Sequence, residues 1–323
     1  MPSPNISEII TTTLNSRTGK LADGVSENSR LLQKMKESGT VKPFSGGNTI
    51  YQEIQYQENT NFTRYSGLDT LTVAGADVIT SAEFNIKQAA VPVVISGLEE
   101  IQNSGKEAVI DLLEARIDNA EKTLFNNIHS DCYSDGTASS SKQVGGLQLL
   151  VADAPSTGTI GGINRATYSW WRNIVFDASS EGGAAATAAN IQDYMWRLWV
   201  QICRNNDKPD FITADNAYFR LYMESLTTGL RYVDAKSADG GIPDISFMGA
   251  PVVLDGGYGG ACPASHMYML NTKYVHFRPH RDRNFTALKP DRFAINQDAL
   301  VRHLVFAGNM TLSCGFLQGV LIA

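Results

Sequence analysis

Three groups of residues have types and spacings that could do chemistry. Asp131, Asp135 and Gly136 fall at positions 1, 5 and 6 of a calcium-binding loop, but position 12 is Lys142, so the bidentate carboxylate that closes such a loop is missing. His276 and His280 are four apart, yet Arg278 and Pro279 lie between them. Helical spacing therefore does not apply, and the short stretch offers no carboxylate to complete a metal pair. The run Gly256-Gly257-Tyr258-Gly259-Gly260 leads into Cys262, Pro263 and a strand-like segment. It lacks the helix N-terminus that holds a phosphate and reads as a mobile loop.

Nucleophile elbows and Walker loops are missing as well. Cys132, Cys203, Cys262 and Cys314 are scattered outside any CxxC pattern and read mostly as buried free thiols. Trp170 and Trp171 beside Arg172, with Trp196 and Trp199, could line a ligand box, but packing in a core or an interface is the simpler role. With no convergent set of titratable groups, the expectation is a protein without catalytic activity, cofactor or metal.

Charge is more informative. The 323 residues carry 27 Lys and Arg against 33 Asp and Glu, a net charge of −6. That argues against a reader of nucleic acid, yet it suits a wall that encloses nucleic acid without sticking to it. Against this acidic background, residues 273–292 hold Lys273, Arg278, Arg281, Arg283, Lys289 and Arg292 with only Asp282 and Asp291. The segment reads either as a solvated basic loop or as one that pairs with acidic groups of an adjacent subunit, and Arg forks favour the second. No apolar run reaches bilayer length, and the first residues lack the basic and apolar regions of a secretion signal, so the expectation is a cytoplasmic product with no membrane partner.

The elements that must position these groups form an α+β chain without βαβ alternation. Residues 1–48 are a polar, weakly basic arm with a short helix at 28–37. Residues 49–97 are rich in Thr, Val, Ile, Tyr and Phe and turn over at 66–76, which describes a long β-hairpin. Apolar residues fall on both faces of its first arm, as in a strand touching protein on both sides, and Pro92 marks an edge or a bulge. A hairpin with so little core of its own needs something to lie on, and a neighbouring subunit is the natural candidate. A helix is predicted over 105–130, with Val109, Leu113, Ile117, Ala120, Leu124 and Ile128 on one stripe and Ser104 and Glu107 as a capping box. Further helices are predicted at 189–205, stopped by Pro209, and at 216–226, capped by Asp215. A strand is predicted at 211–213, and a last core strand at 310–322.

This order resembles the major capsid proteins of tailed bacteriophages, the HK97-type fold. The segments that carry the resemblance are YQENTNFTRYSG (56–67), GGINRATYSWWRN (161–173) and GNMTLSCGFLQGVLIA (308–323). The resemblance implies an N-terminal arm at 1–48, an extended E-loop at 49–97 and a peripheral domain at 98–188 with its spine helix at 105–130. It also implies an axial domain at 189–285 and a return to the peripheral domain at 286–323. The implied function is a virion shell, assembled in the host cytoplasm from hexamers and pentamers of this chain. It would enclose double-stranded DNA contacted non-specifically, with a portal and a separate scaffolding protein as partners. The nearest alternative is an encapsulin-like compartment of the same fold, and a more distant one is a soluble enzyme. Expected inter-subunit contacts are Arg64, Tyr65, Asp69 and Asp77 near the hairpin tip and Arg278, Arg281, Arg283 and Arg292 in the basic segment.

Two features depart from some relatives. The chain has no lysine between Lys42 and Lys87, so a covalent cross-link from the loop tip is unsupported. Only about 48 residues precede the hairpin, too few for a long scaffolding domain. Deleting residues 57–82 is expected to leave a folded subunit that forms no shells.

Overall fold

The structure is a computed structural model describing residues 29–71, 73–96, 98, 112–226, 245–257, 260–287, 292–293 and 298–323. The expected capping box at Ser104 and Glu107, the expected helix start at 105–111 with Val109, most of the N-terminal arm, and Tyr258, Gly259, Lys289 and Asp291 lie outside these residues.

Helix α1 (Arg30–Glu37) starts at Ser29, whose side chain accepts from the Leu32 amide, and ends with Lys34 and Lys36 in its last turn, where the helix dipole favours cations. Its Leu31 and Met35, four apart, are fully buried. Strands β1 (Thr49–Gln55) and β2 (Ile79–Asn85) pair antiparallel in full register, from Thr49 opposite Asn85 to Gln55 opposite Ile79. The expected return arm then divides. After Ile86 the chain enters β3 (Lys87–Ser96), which leaves the hairpin and pairs with a strand more than 200 positions away.

Helix α2 (Leu112–Asp131) lies across β3 and buries Ala120, Leu124 and Ile128 at a spacing of four. Strand β4 (Ile174–Asp177) leads to α3 (Ile191–Ile202), where extended backbone at Cys203 ends the helix earlier than expected. Strand β5 (Phe211–Ala214) feeds α4 (Asn216–Ser225), capped by Asp215, whose carboxylate accepts from the Tyr218 amide. Strands β6 (Ile245–Phe247) and β7 (Ala250–Leu254) form a tight hairpin through Met248 and Gly249. Both have positive φ, the pairing that matches strand twist in a two-residue turn. Strands β8 (His266–Leu270) and β9 (Val275–Pro279) precede the long β10 (Ala299–Leu312), and β11 (Gly319–Ile322) closes the chain. The single strand expected over 310–322 is thus two, divided at residues 313–318.

Two sheets organise the molecule. One runs β4–β11–β8–β5–β7–β6. In the other, β10 is paired on one flank with β3 along ten residues and on the other with β9, Thr286–Ala287 and Arg292–Phe293 in turn. Pro92 is accommodated because β3 pairs only with β10 among the described residues, leaving an edge that needs no amide there. The six-stranded sheet separates two cores. Ile212, Ala214, Met267 and Met269 face α3 and α4, while Phe211, Tyr268 and Leu270 face the side of α2, the hairpin and the second sheet. This period-2 alternation marks a sheet covered on both faces.

Candidate assembly surfaces

The β1–β2 hairpin arms lie on their own molecule, where a neighbouring subunit was the expected seat. Ile50, Ile54, Ala82 and Phe84 point inward and are buried, while Tyr51, Glu53, Gln55 and Ile79 point out. One apolar face is thus buried on the body, while Tyr51 and Ile79 keep apolar groups on the outer face as well. Their seat is built by the 161–173 segment. Gly161, at φ +58°, accepts the Glu83 amide on its carbonyl at 2.9 Å, and a β-carbon there would stand 2.7 Å from that of Ala82. Tyr56 stacks on Trp170 with ring centres 5.2 Å apart, and Trp171 is buried with Nε1 donating to the Ile160 carbonyl at 3.1 Å. Arg165 is also buried and donates to the Leu150 carbonyl, and the loss of water holds its guanidinium down at about 10. Of the four tryptophans, Trp171 and Trp199 are core, whereas Trp196 remains 44% exposed against Phe247.

Beyond this seat, residues 57–71 and 73–78 leave the body. Phe62, Tyr65, Leu68, Leu71 and Val73 are exposed, a concentration of large apolar side chains that water does not favour. The loop is held by its own polar groups and by one ion pair. Tyr56 donates its hydroxyl to the Asp77 carbonyl at 2.9 Å, Asn61 donates to the Ala74 carbonyl at 2.7 Å, the Ser66 amide donates to Asp69 Oδ2 at 2.9 Å, and Arg204 meets Glu58 at 2.9 Å. Arg64 lies over the Phe62 ring, 5.3 Å from its centre. The residues expected near the tip, Arg64, Tyr65, Asp69 and Asp77, thus share one exposed loop.

The basic segment sits elsewhere. Arg278 is in β9, Arg281 and Arg283 are exposed in the turn that follows, and Arg292 is in a two-residue strand opposite Val301. Lys273 pairs with Asp207 at 3.1 Å within the same chain. His276 lies within β9 and His280 just past its end, and their environments differ: His280 packs edge-on against Phe44 while His276 is buried. Burial, aided by the Lys42 and Arg278 cations, holds His276 down at about 4.

Asp131 is engaged by Gln143 Nε2 at 2.6 Å and Asp135 by Thr137, and among the described residues no three metal-ligating side chains converge. All four cysteines are free, with only Cys132 fully buried. Sequence reasoning missed a buried polar cluster. His129 Nε2 lies 3.0 Å from Asp255 Oδ1, Tyr133 donates to Asp255 Oδ2 at 2.5 Å, and Tyr133 and Thr213 hydroxyls are 3.0 Å apart. Burial and the Asp255 carboxylate push the Tyr133 phenol well above its usual range. With the His129 and Asp255 side chains each 8% exposed, the cluster is closed to a substrate and fastens the end of α2 to β5 and β7. No local pattern announces it, because its members come together across 126 positions.

No protein-family model matches the chain, and no curated protein matches it by sequence. Solved structures do match in fold, and they include phage capsids and an encapsulin. The capsid asymmetric unit of cyanophage A-1(L) aligns with a TM-score of 0.66 at 17% identity, over 94% of each chain. The capsid of an empty GTA particle aligns with a TM-score of 0.59 at 11% identity, over 94% of this chain and 91% of that one. The holo-SrpI encapsulin complex of Synechococcus elongatus PCC 7942 aligns with a TM-score of 0.55 at 9% identity, over 100% and 96%. At such identities the likeness is one of fold.

Proposed function

We propose that the chain is a major capsid protein of the HK97 type, whose copies build a closed icosahedral shell around double-stranded DNA. The observation that carries this reading is the exposed apolar loop at residues 56–78, on a fold that aligns nearly end to end with capsid subunits. The loop would act as the tip of the E-loop and cover its apolar side chains on a neighbour, while the arms stay on their own body. Helix α2 takes the part of the spine helix. The second sheet belongs to the peripheral domain, and the six-stranded sheet with α3 and α4 belongs to the axial domain around the five- and six-fold centres. Rings of that kind use heterologous interfaces that close. Several modest contacts per copy then add through effective concentration. The work is association and not catalysis. A portal and a separate scaffolding protein complete the expected partners, and the virion is the expected location.

A second reading keeps the fold and changes the contents. The encapsulin likeness spans the whole chain, so a compartment for protein cargo is the rival. Electron microscopy of the purified full chain tests the shared part: uniform closed particles are expected, and a protein that stays monomeric at every concentration ends the proposal. Nuclease-protected duplex DNA in particles from the natural source separates a phage head from a cargo compartment.

A further inference from the structure

The second sheet holds a concentration of positive charge that the fold leaves unanswered. Residues 40–44 run parallel to β9, with Val41 beside Phe277 and Phe44 beside His280, and the Lys42 amide donates to the Phe277 carbonyl at 2.9 Å. In that register Lys42 and Arg278 stand side by side. His276, two residues along the same strand, is 4% exposed and its Nδ1 has no partner; its Nε2 has only a long contact of 3.5 Å to the Ser313 hydroxyl. Arg278 Nε is buried and also lacks a partner. No carboxylate pairs with Lys42, His276 or Arg278 among the described residues. The neighbouring strand offers Asn309 opposite Arg278, but its Oδ1 already accepts from the Gly145 and Met310 amides. Buried polar groups without partners are costly, and a half-buried guanidinium without a counter-charge is more so. Lys42 is exposed, so the cluster reaches the surface at that residue.

We infer that Lys42, His276 and Arg278 form an oxyanion subsite, and that its occupant in the assembled state is a carboxylate from a second copy of this chain. The choice of occupant rests on the shell reading; the subsite does not. A side-chain carboxylate suits the geometry better than a duplex does. The unpartnered atoms are recessed, and a single carboxylate can enter where a row of backbone phosphates meets only exposed cations. The chain has carboxylates to give: Glu58 is held by Arg204, but Asp69 and Asp77 lie in the exposed loop with Arg64 as its one cation.

The test uses the full chain, first below its assembly concentration, with inorganic phosphate as the probe and the His276 ring followed by NMR. Saturable shifts are expected, with the His276 titration midpoint rising by about one pH unit as the anion neutralises Lys42 and Arg278. Arg278→Gln should abolish the response and Lys42→Gln should weaken it. In assembly, both variants should raise the concentration at which shells form by about tenfold, while Arg278→Lys, which keeps charge but loses the fork, should rescue only in part. Lys42→Gln alters an exposed side chain and should melt with the wild type, which guards against a misfolded Arg278 variant. A His276 signal indifferent to phosphate overturns the subsite. Phosphate binding with unaltered assembly of both variants overturns the second-copy occupant and leaves the shell reading intact. Saturable binding in a chain that never forms shells overturns the occupant and the shell reading together.

Discussion

Asp255 takes hydrogen bonds from two side chains in a space closed to water, so removing one member strands the others. Asp255→Asn or Tyr133→Phe should lower stability by about 1–3 kcal/mol, read by denaturant unfolding. His266 behaves differently because it is nearer the surface. Its Nε2 lies 3.1 Å from Asp153 Oδ2 and its Nδ1 lies 2.7 Å from the Ala264 carbonyl. Burial works against the charged ring, but these acceptors, with Asp215 behind them, outweigh it and raise its pKa. The pair therefore contributes fully below the ordinary imidazole range, and its contribution fades as pH rises through the raised value. The melting temperature of Asp153→Asn should fall below that of the wild type at pH about 5.5 and meet it by about pH 8.5.

At the scale of elements, the hairpin depends on a glycine that permits close approach. Gly161→Ala places a β-carbon against Ala82 at positive φ, so the hairpin should lift from its seat. Hydrogen exchange in residues 79–85 should then quicken while α3 and α4 keep their protection. What was legible beforehand follows the same division between local and distant. The cap at Asp215 and the stripe of Ala120, Leu124 and Ile128 are written in neighbouring residues, and α4 and the described part of α2 form where expected. The departure of β3 from the hairpin is not local, because its partner β10 lies far along the chain and either pairing suits a β-prone run. The break between β10 and β11 was hidden by uninterrupted apolar composition on both sides of it. There Gly315 packs against the Trp171 carbonyl, a close approach that only the folded chain creates. The basic residues at 278–283 were found by charge alone, but the orphaned His276 beside them needed burial to become visible.

For the whole molecule, the seat of the hairpin changes the deletion that tests assembly. Removing residues 57–82 would take away Ala82, which is fully buried, and half of β2 with it. Replacing residues 58–76 by a short Gly-Ser linker spares both arms. The product should melt within a few degrees of the wild type and sediment as a subunit at concentrations where the wild type forms particles. Unchanged particles would remove the loop from the assembly scheme. The hairpin also has a mechanical consequence. Strand β2 runs through a single residue into β3, and β3 is clasped to β10 over ten consecutive positions. Tension drawn along β2 from a captured tip would therefore be shared by that whole seam at once, so a shell stretched by swelling contents would strain many bonds slightly before any one of them parted.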